Sequence, residues 1–280
     1  MELGVQGLNA KATLNPEQTR RLVRLAEELG YTSWWAGEHV VLPSPRTADS
    51  PMEATDPILD PLVHLAYVAA VTTTIELGTG VVILPQRNPL VLAKQVASLD
   101  VLSSGRVLLG VGAGYLEPEL TAVGVEMAGR GRRTDEYLDA MTALWTQTAP
   151  SFHGRYADFD RVDAHPRPVR PGGPRIVIGG HSHAAFRRAV SRGHGWFGNG
   201  SPAELAVHLD GLRRAADEVE RPARLGRLEI IHMQFEPVDA DTARRYAELG
   251  VDRLVVYPLP LEDPGDVAAF LRRHAALIGT

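Results

Sequence analysis

Arg175-Ile176-Val177-Ile178-Gly179-Gly180-His181-Ser182, running into Ala184-Ala185-Phe186-Arg187-Arg188-Ala189, reads as a short apolar strand, a glycine turn and a helix. Glycines let backbone amides approach a ligand closely, Ser182 suits an N-cap, and the positive end of a helix favours an anion. The unit outlines a phosphate cradle, and such a turn also forms for steric reasons alone. What decides the fold is that the same strand-then-helix unit recurs on both sides of it.

Toward the N-terminus, Leu3 to Gly7 alternates as a first strand, and Asn15-Pro16-Glu17 opens a helix that closes at Gly30. Thr32 to Ala36 is a second strand ending in Gly37-Glu38-His39-Val40, and a Pro-rich loop over 42–57 leads to a helix starting at Asp60-Pro61. Glu76 to Leu84 is a nearly continuous apolar third strand, the pattern of a parallel strand covered on both faces. Pro89 opens the next helix, Val107 to Gly112 is strand four, 115–130 reads as a loop, and a helix runs from about Arg133 to Thr146. Pro150 to Pro174 reads as an insertion with a small hairpin at 152–156. Toward the C-terminus, Gly195 to Gly198, Leu228 to Phe235 and Arg253 to Tyr257 are strands six to eight. Helices over 202–219, 242–249 and 264–277 follow them. Eight units in strict alternation predict an α/β fold, a (β/α)₈ TIM barrel forming a single domain over 1–280 with an insertion before strand five. An open doubly wound sheet is the alternative, and the chain has no evident edge strand or second domain to support it.

Composition narrows the partners. A formal net charge of −5 over 280 residues provides no basic surface for nucleic acid, so a small-molecule substrate is expected. With no cysteine, disulfides, thiolate catalysis and thiolate-held metals are excluded, which fits a reducing cytoplasm. No apolar run reaches membrane-spanning length, and Met1-Glu2-Leu3-Gly4 does not begin a secretory signal, so no membrane partner is expected.

In such a barrel, ligands bind at the C-terminal ends of the strands. That rule selects Glu38 and His39, then Thr79, Gly80 and Val81, then Gly112, Ala113, Gly114 and Tyr115, then Gly179, Gly180, His181 and Ser182, and finally Gly198 and Asn199. His39, with Glu38 beside it, is the acid–base candidate, because histidine titrates near neutrality. Gly110-Val111-Gly112-Ala113-Gly114-Tyr115 is not a dinucleotide fingerprint, since the third glycine comes one position early and no helix follows at once. His181 and His183 lack a third ligand motif, so no metal is expected. His232, Trp34, Trp35 and Trp196 read as core, and Arg130, Arg132 and Arg133 as a solvated helix start from which one arginine could reach a polyanionic tail. Serine-hydrolase and phosphoryl-transfer motifs are missing, and the strand ends lack the paired carboxylates of a glycosidase.

Leu77-Gly78-Thr79-Gly80-Val81, Arg87-Asn88-Pro89, Ala93-Lys94-Gln95, Leu99-Asp100, Ser104-Gly105-Arg106, Gly110-Val111-Gly112-Ala113-Gly114, Arg130-Gly131-Arg132-Arg133 and Ile178-Gly179-Gly180 resemble the luciferase-like monooxygenase superfamily. More narrowly, they are similar to its branch of oxidoreductases that use the deazaflavin coenzyme F420. The resemblance implies a barrel whose mouth holds the ring near His39, Thr79, Gly80, Val81, Gly112, Ala113, Gly114 and Gly198, with the phosphate at Gly179, Gly180, His181 and Ser182. It also implies a non-proline cis peptide at Gly80-Val81, forming a bulge behind the ring, and a homodimer. His39 matches a catalytic histidine of the F420-dependent dehydrogenases, with Glu38 as its acidic neighbour. Those enzymes also carry a glutamate just after the strand-four glycines, a place that falls on Tyr115 here, which argues against an alcohol or sugar-phosphate dehydrogenase mechanism. The expected activity is therefore hydride transfer from F420 to a C=C or C=N acceptor. The alternatives are a reduced-FMN monooxygenase and a non-catalytic flavin or deazaflavin carrier.

Overall fold

Asn15-Pro16, Asp60-Pro61 and Asn88-Pro89 share one physical device: proline sets the first helical φ, and the preceding side chain accepts two of the otherwise unpaired N–H groups. In the computed structural model, which describes residues 1–259 and 262–278, these pairs open α1 (Pro16–Glu28), α2 (Pro61–Val71) and α3 (Pro89–Leu102). The strands they follow are β1 (Glu2–Gln6), β2 (Ser33–Ala36) and β3 (Glu76–Thr79), with β4 (Val82–Ile83) continuing β3 after an interruption. Then come β5 (Val107–Gly112), α4 (Glu117–Ala122), α5 (Arg130–Thr146), a hairpin of β6 (Phe152–His153) and β7 (Asp158–Phe159), and β8 (Arg175–Gly179) with α6 (His183–Arg192). The chain closes through β9 (Gly195–Asn199), α7 (Pro202–Glu218), β10 (Glu229–Gln234), α8 (Ala240–Glu248), β11 (Arg253–Val256) and α9 (Pro264–His274).

The sheet order β3-β2-β1-β11-β10-β9-β8-β5-β4, together with a β3–β5 pairing, makes eight parallel staves closed on themselves. The interior holds Trp35, Leu108, Val177, Phe197, Ile231, Met233 and Val255. Trp35 lies opposite Gly78 in register, where a Cβ would come within 2.2 Å of its ring, so the glycine is what lets the indole fill the barrel. A larger core between strands and helices buries Trp34 and Trp196 completely.

Two expectations need correction. The third strand is not continuous to Leu84: the ladder stops at Thr79, the Gly80–Val81 peptide is cis, and only Val82–Ile83 pairs again. The span 115–130 contains the helix α4, too short to show an apolar period. The segment over 150–174 does form a hairpin, which docks Ala157 and Phe159 into the core.

At the N-terminal end of the barrel, five strands begin with a charged residue: Glu2, Glu76, Arg175, Glu229 and Arg253. Their side chains form one ionic ring. Arg253 Nη2 lies 2.5 Å from Glu2 and 2.6 Å from Glu76, Arg253 Nε is 3.6 Å from Glu229, and Arg175 pairs with Glu229 and Glu76.

His64 and His232 are buried among apolar side chains. His64 Nε2 accepts from Trp34 at 3.1 Å, and His232 Nε2 donates to the Gly200 carbonyl at 2.9 Å. Burial pushes each down to about 4. The unfolded chain takes up these protons near pH 6.5, whereas the folded one resists until about pH 4, so stability is full above the unfolded value and is lost on acidification through that window. The urea midpoint is expected to fall continuously between those limits; a midpoint flat to pH 4 would contradict the neutral burial of both rings.

Candidate functional site

The C-terminal ends of the staves surround a cavity of about 660 Å³, within the range of small-molecule and cofactor sites. His39, Gly80, Val81, Gly179 and Gly180 line it, as do Tyr115 and Asn199. His39 follows β2 directly, and its Nδ1 lies 2.9 Å from the Glu119 carboxylate, whose other oxygen accepts the Val40 N–H at 2.6 Å. Glu119 is 2% exposed. A carboxylate accepts from an N–H, so Nδ1 is the ring nitrogen that donates to it, and Nε2 is the one turned to other work. No described residue hydrogen-bonds Nε2. The Tyr115 ring meets His39 edge-on at 6.2 Å.

Glu38 has a different part from the one expected. It lines the cavity together with His39, but its carboxylate is taken up by other partners. Arg87 takes it through Nε at 2.7 Å and through Nη2, and the Ile83 N–H donates to it at 2.6 Å. Burial raises its pKa, and the Arg87 guanidinium opposes that shift. Glu38 is thus the anchor of the segment after the bulge, and the acid serving His39 comes from α4, four residues beyond Tyr115.

The strand-end glycines divide in two. Gly179 and Gly180 border the cavity, Gly180 with φ +116. Gly112 and Gly198 do not: a Cβ on Gly112 would stand 2.9 Å from Val81, and one on Gly198 would stand 2.0 Å from the Trp196 ring. Their missing side chains make room for protein rather than ligand. Thr79 is fully buried, its hydroxyl donating to Gly110 O at 2.6 Å, and Ala113 and Gly114 also lie off the cavity wall. Beyond Gly180 the turn continues at the surface. Ser182 caps α6 by accepting from Ala185 N at 3.2 Å, and His181 stacks on His208 with rings 4.1 Å apart while its Nε2 accepts from Asn199 N.

Gln6 was missed, although it ends β1 and the strand-end rule would have selected it. Its Nε2 donates to Gly80 O at 2.6 Å, and its Oε1 is buried without a partner at the cavity. The loop over 42–57 covers the mouth. It is knitted by Arg46 to Ser50 O and Glu53, and by the Glu53 N–H to Asp56, with Asn9 bonding Gly37 O and Leu59 O beneath it. Arg130 donates to Gly114 O and Met127 O, so it braces a loop instead of reaching outward. Among the described residues, no group of three His, Cys, Asp or Glu side chains is arranged to hold a metal, and no helix is long and apolar enough to cross a membrane.

The family model for luciferase-like monooxygenases matches residues 2–274. The chain belongs to the luciferase-like monooxygenase family. An uncharacterised protein of Mycobacterium tuberculosis is 34% identical over 261 residues, covering 90% of this chain and 91% of that one. The FMNH(2)-dependent dimethylsulfone monooxygenase of Pseudomonas putida is 29% identical over 80% of this chain and 60% of its own length. Among solved structures, the coenzyme F420 dependent tetrahydromethanopterin reductase of Methanopyrus kandleri superposes with a TM-score of 0.78, covering 99% and 98% of the two chains at 15% identity. Its likeness to this luciferase-like chain is one of fold. The chain is thus similar in sequence to an enzyme named for FMNH(2) and in fold to one named for F420.

Proposed function

We propose that the protein is a coenzyme F420-dependent oxidoreductase that reduces a small uncharged organic substrate, His39 managing the accompanying proton. The observation that carries this reading is the His39–Glu119 pair, which leaves Nε2 free on the cavity wall beside the Gly80–Val81 bulge. The residues present fit the group. The unpartnered Gln6 Oε1 suits an N–H of the ring's pyrimidine edge, and the Gly179-Gly180-His181-Ser182 turn at the start of α6 suits its phosphate. When bound, the deazaflavin supplies hydride chemistry. Val81 would back the ring, Glu119 fixes the His39 tautomer, and Nε2 passes a proton to or from the substrate atom it faces. The loop over 42–57 walls one side of the mouth and would limit water around a bound ring.

The likeness to the dimethylsulfone enzyme favours a second reading, a monooxygenase using reduced FMN. Side-by-side fluorescence titration of the purified protein with F420 and FMN separates the two. Preference for F420 is expected; preference for FMN, with oxygen consumption, would replace the first reading by the second. Binding of neither would leave the Gly179-Gly180 turn without a cofactor role and point to a barrel with another ligand.

The absence of cysteine suits work in a reducing cytoplasm. We also propose a homodimer. α2 carries no Asp, Glu, Lys or Arg in Pro61–Val71, the pattern of a helix buried on all sides, yet Val63 is 70% exposed and Leu102 on the adjacent α3 is 72% exposed. A second copy covering this face satisfies both helices. Light scattering should return twice the chain mass, and Val63→Glu with Leu102→Glu should return the single mass; a monomeric wild type ends the proposal.

A further inference from the structure

Resting on the functional reading above, we propose that the wall built by Phe235 and Tyr257 receives the apolar body of an uncharged substrate bearing one hydrogen-bond-accepting oxygen, an enone reduced at its C=C bond being the simplest such compound. These residues directly follow β10 and β11, and β10 lies three staves round the barrel from the β2 end that carries His39. Their rings pack at 5.4 Å with planes tilted by 52°. Phe235 nevertheless remains 45% exposed, on a wall that Met52, Phe197 and Met233 extend. An aromatic surface left open inside a half-enclosed cavity is a surface for an apolar ligand.

Tyr257 is held in place by the backbone beneath it. Gly7 sits at φ +84, and a Cβ there would stand 2.5 Å from the Tyr257 ring. The ring therefore lies across the end of β1, where any larger residue would displace it. Its hydroxyl has no hydrogen-bond partner among the described residues, and burial raises its pKa, so at neutral pH it is a protonated donor that the protein leaves to whatever fills the cavity. Such a donor rewards a ligand carrying an acceptor and is left unpaired by a hydrocarbon.

The charges beside this wall, away from the Gly179-Gly180 turn read as the phosphate seat, favour a neutral molecule over an acid. Lys11 and Arg46 are its lysine and arginine lining residues among the described ones; Lys11 pairs with Glu262, and Arg46 with Glu53 at 2.8 Å. Glu53 and Asp56 face the same mouth. An anionic substrate would lose its hydration and find no uncommitted cation, a cost that a neutral molecule avoids.

The experiment measures binding to the full-length protein by calorimetry, both cofactor-free and after saturation with whichever of F420 or FMN binds. The probes are 2-acetylnaphthalene, naphthalene and 2-naphthalenesulfonate. The ketone should bind at least about tenfold tighter than the sulfonate. Phe235→Ala should weaken the ketone about tenfold through lost apolar contact. Tyr257→Phe should weaken the ketone about fivefold and leave naphthalene unchanged. Both substitutions are at the cavity wall, and circular dichroism checks that each variant is folded. Sulfonate binding equal to that of the ketone, or a Phe235→Ala protein with wild-type ketone affinity, overturns the proposal. Failure to bind either cofactor overturns the functional reading instead, and the cofactor-free series still decides whether this wall selects neutral ligands.

Discussion

Replacing His39 with Ala is expected to lower turnover by about 10²–10⁴-fold, the usual worth of a positioned acid or base, while cofactor affinity changes little. The reasoning is geometric. Nδ1 is committed to the Glu119 carboxylate at 2.9 Å, so only Nε2 can exchange a proton with a substrate, and among the described residues the imidazole makes no hydrogen bond to the Gly179-Gly180 turn. Glu119→Gln tests the same idea from the other side. The amide can still meet Nδ1, yet it no longer dictates which ring nitrogen is protonated, so turnover should fall between wild type and His39→Ala, and the ¹⁵N shifts of His39 should report a mixture of tautomers. Single-turnover oxidation of the reduced cofactor by an enone is the measurement. Unchanged turnover in His39→Ala would remove the histidine from the mechanism.

The second large effect is on stability and lies at the far end of the barrel. Arg253 is 2% exposed and is the hub of the ionic ring, so Arg253→Ala leaves Glu2, Glu76 and Glu229 facing one another with Arg175 alone among them. Of the carboxylates left behind only Glu229 is well buried, Glu2 and Glu76 being 51% and 29% exposed, so the cost is about 3 kcal/mol, the low end of what breaking a buried pair costs. At about 2–4 °C per kcal/mol for a protein of this size, the melting temperature should drop by roughly 6 °C or more. The pH dependence gives a sharper signature. In the intact protein, burial already raises the Glu229 pKa, with Arg175 and Arg253 opposing the shift. Loss of Arg253 raises it further, so the stability Glu229 contributes is present at low pH and is lost as pH rises through its elevated folded value. The deficit of Arg253→Ala should therefore be smaller near pH 5 than near pH 8 in thermal melts. A deficit independent of pH would mean that lost packing, not charge, is responsible.

The barrel was legible because its determinants are local. Asn-Pro and Asp-Pro starts, apolar strands and glycine ends each act over a few residues, and their strict alternation leaves few topologies open. His39 was legible for the same reason, since it stands at a strand end. Glu119 was not: it lies 80 positions away, on a helix of six residues with no apolar repeat, and only tertiary structure brings it to the imidazole. The strand-end glycines misled in part, because a missing side chain looks the same in sequence whether the space goes to a ligand or to Val81 and Trp196. The ionic ring is not legible in sequence, because its five charged strand starts meet only when the barrel closes.

Glu119 holds His39 with one oxygen and the Val40 N–H with the other, and Val40 is where the chain leaves β2 for the mouth loop. One carboxylate thereby makes chemical readiness and loop placement a single condition. Under the proposed role of His39, a shift of α4 would cost the imidazole its orientation and the entrance its hinge pin together, so opening and disarming would be one event.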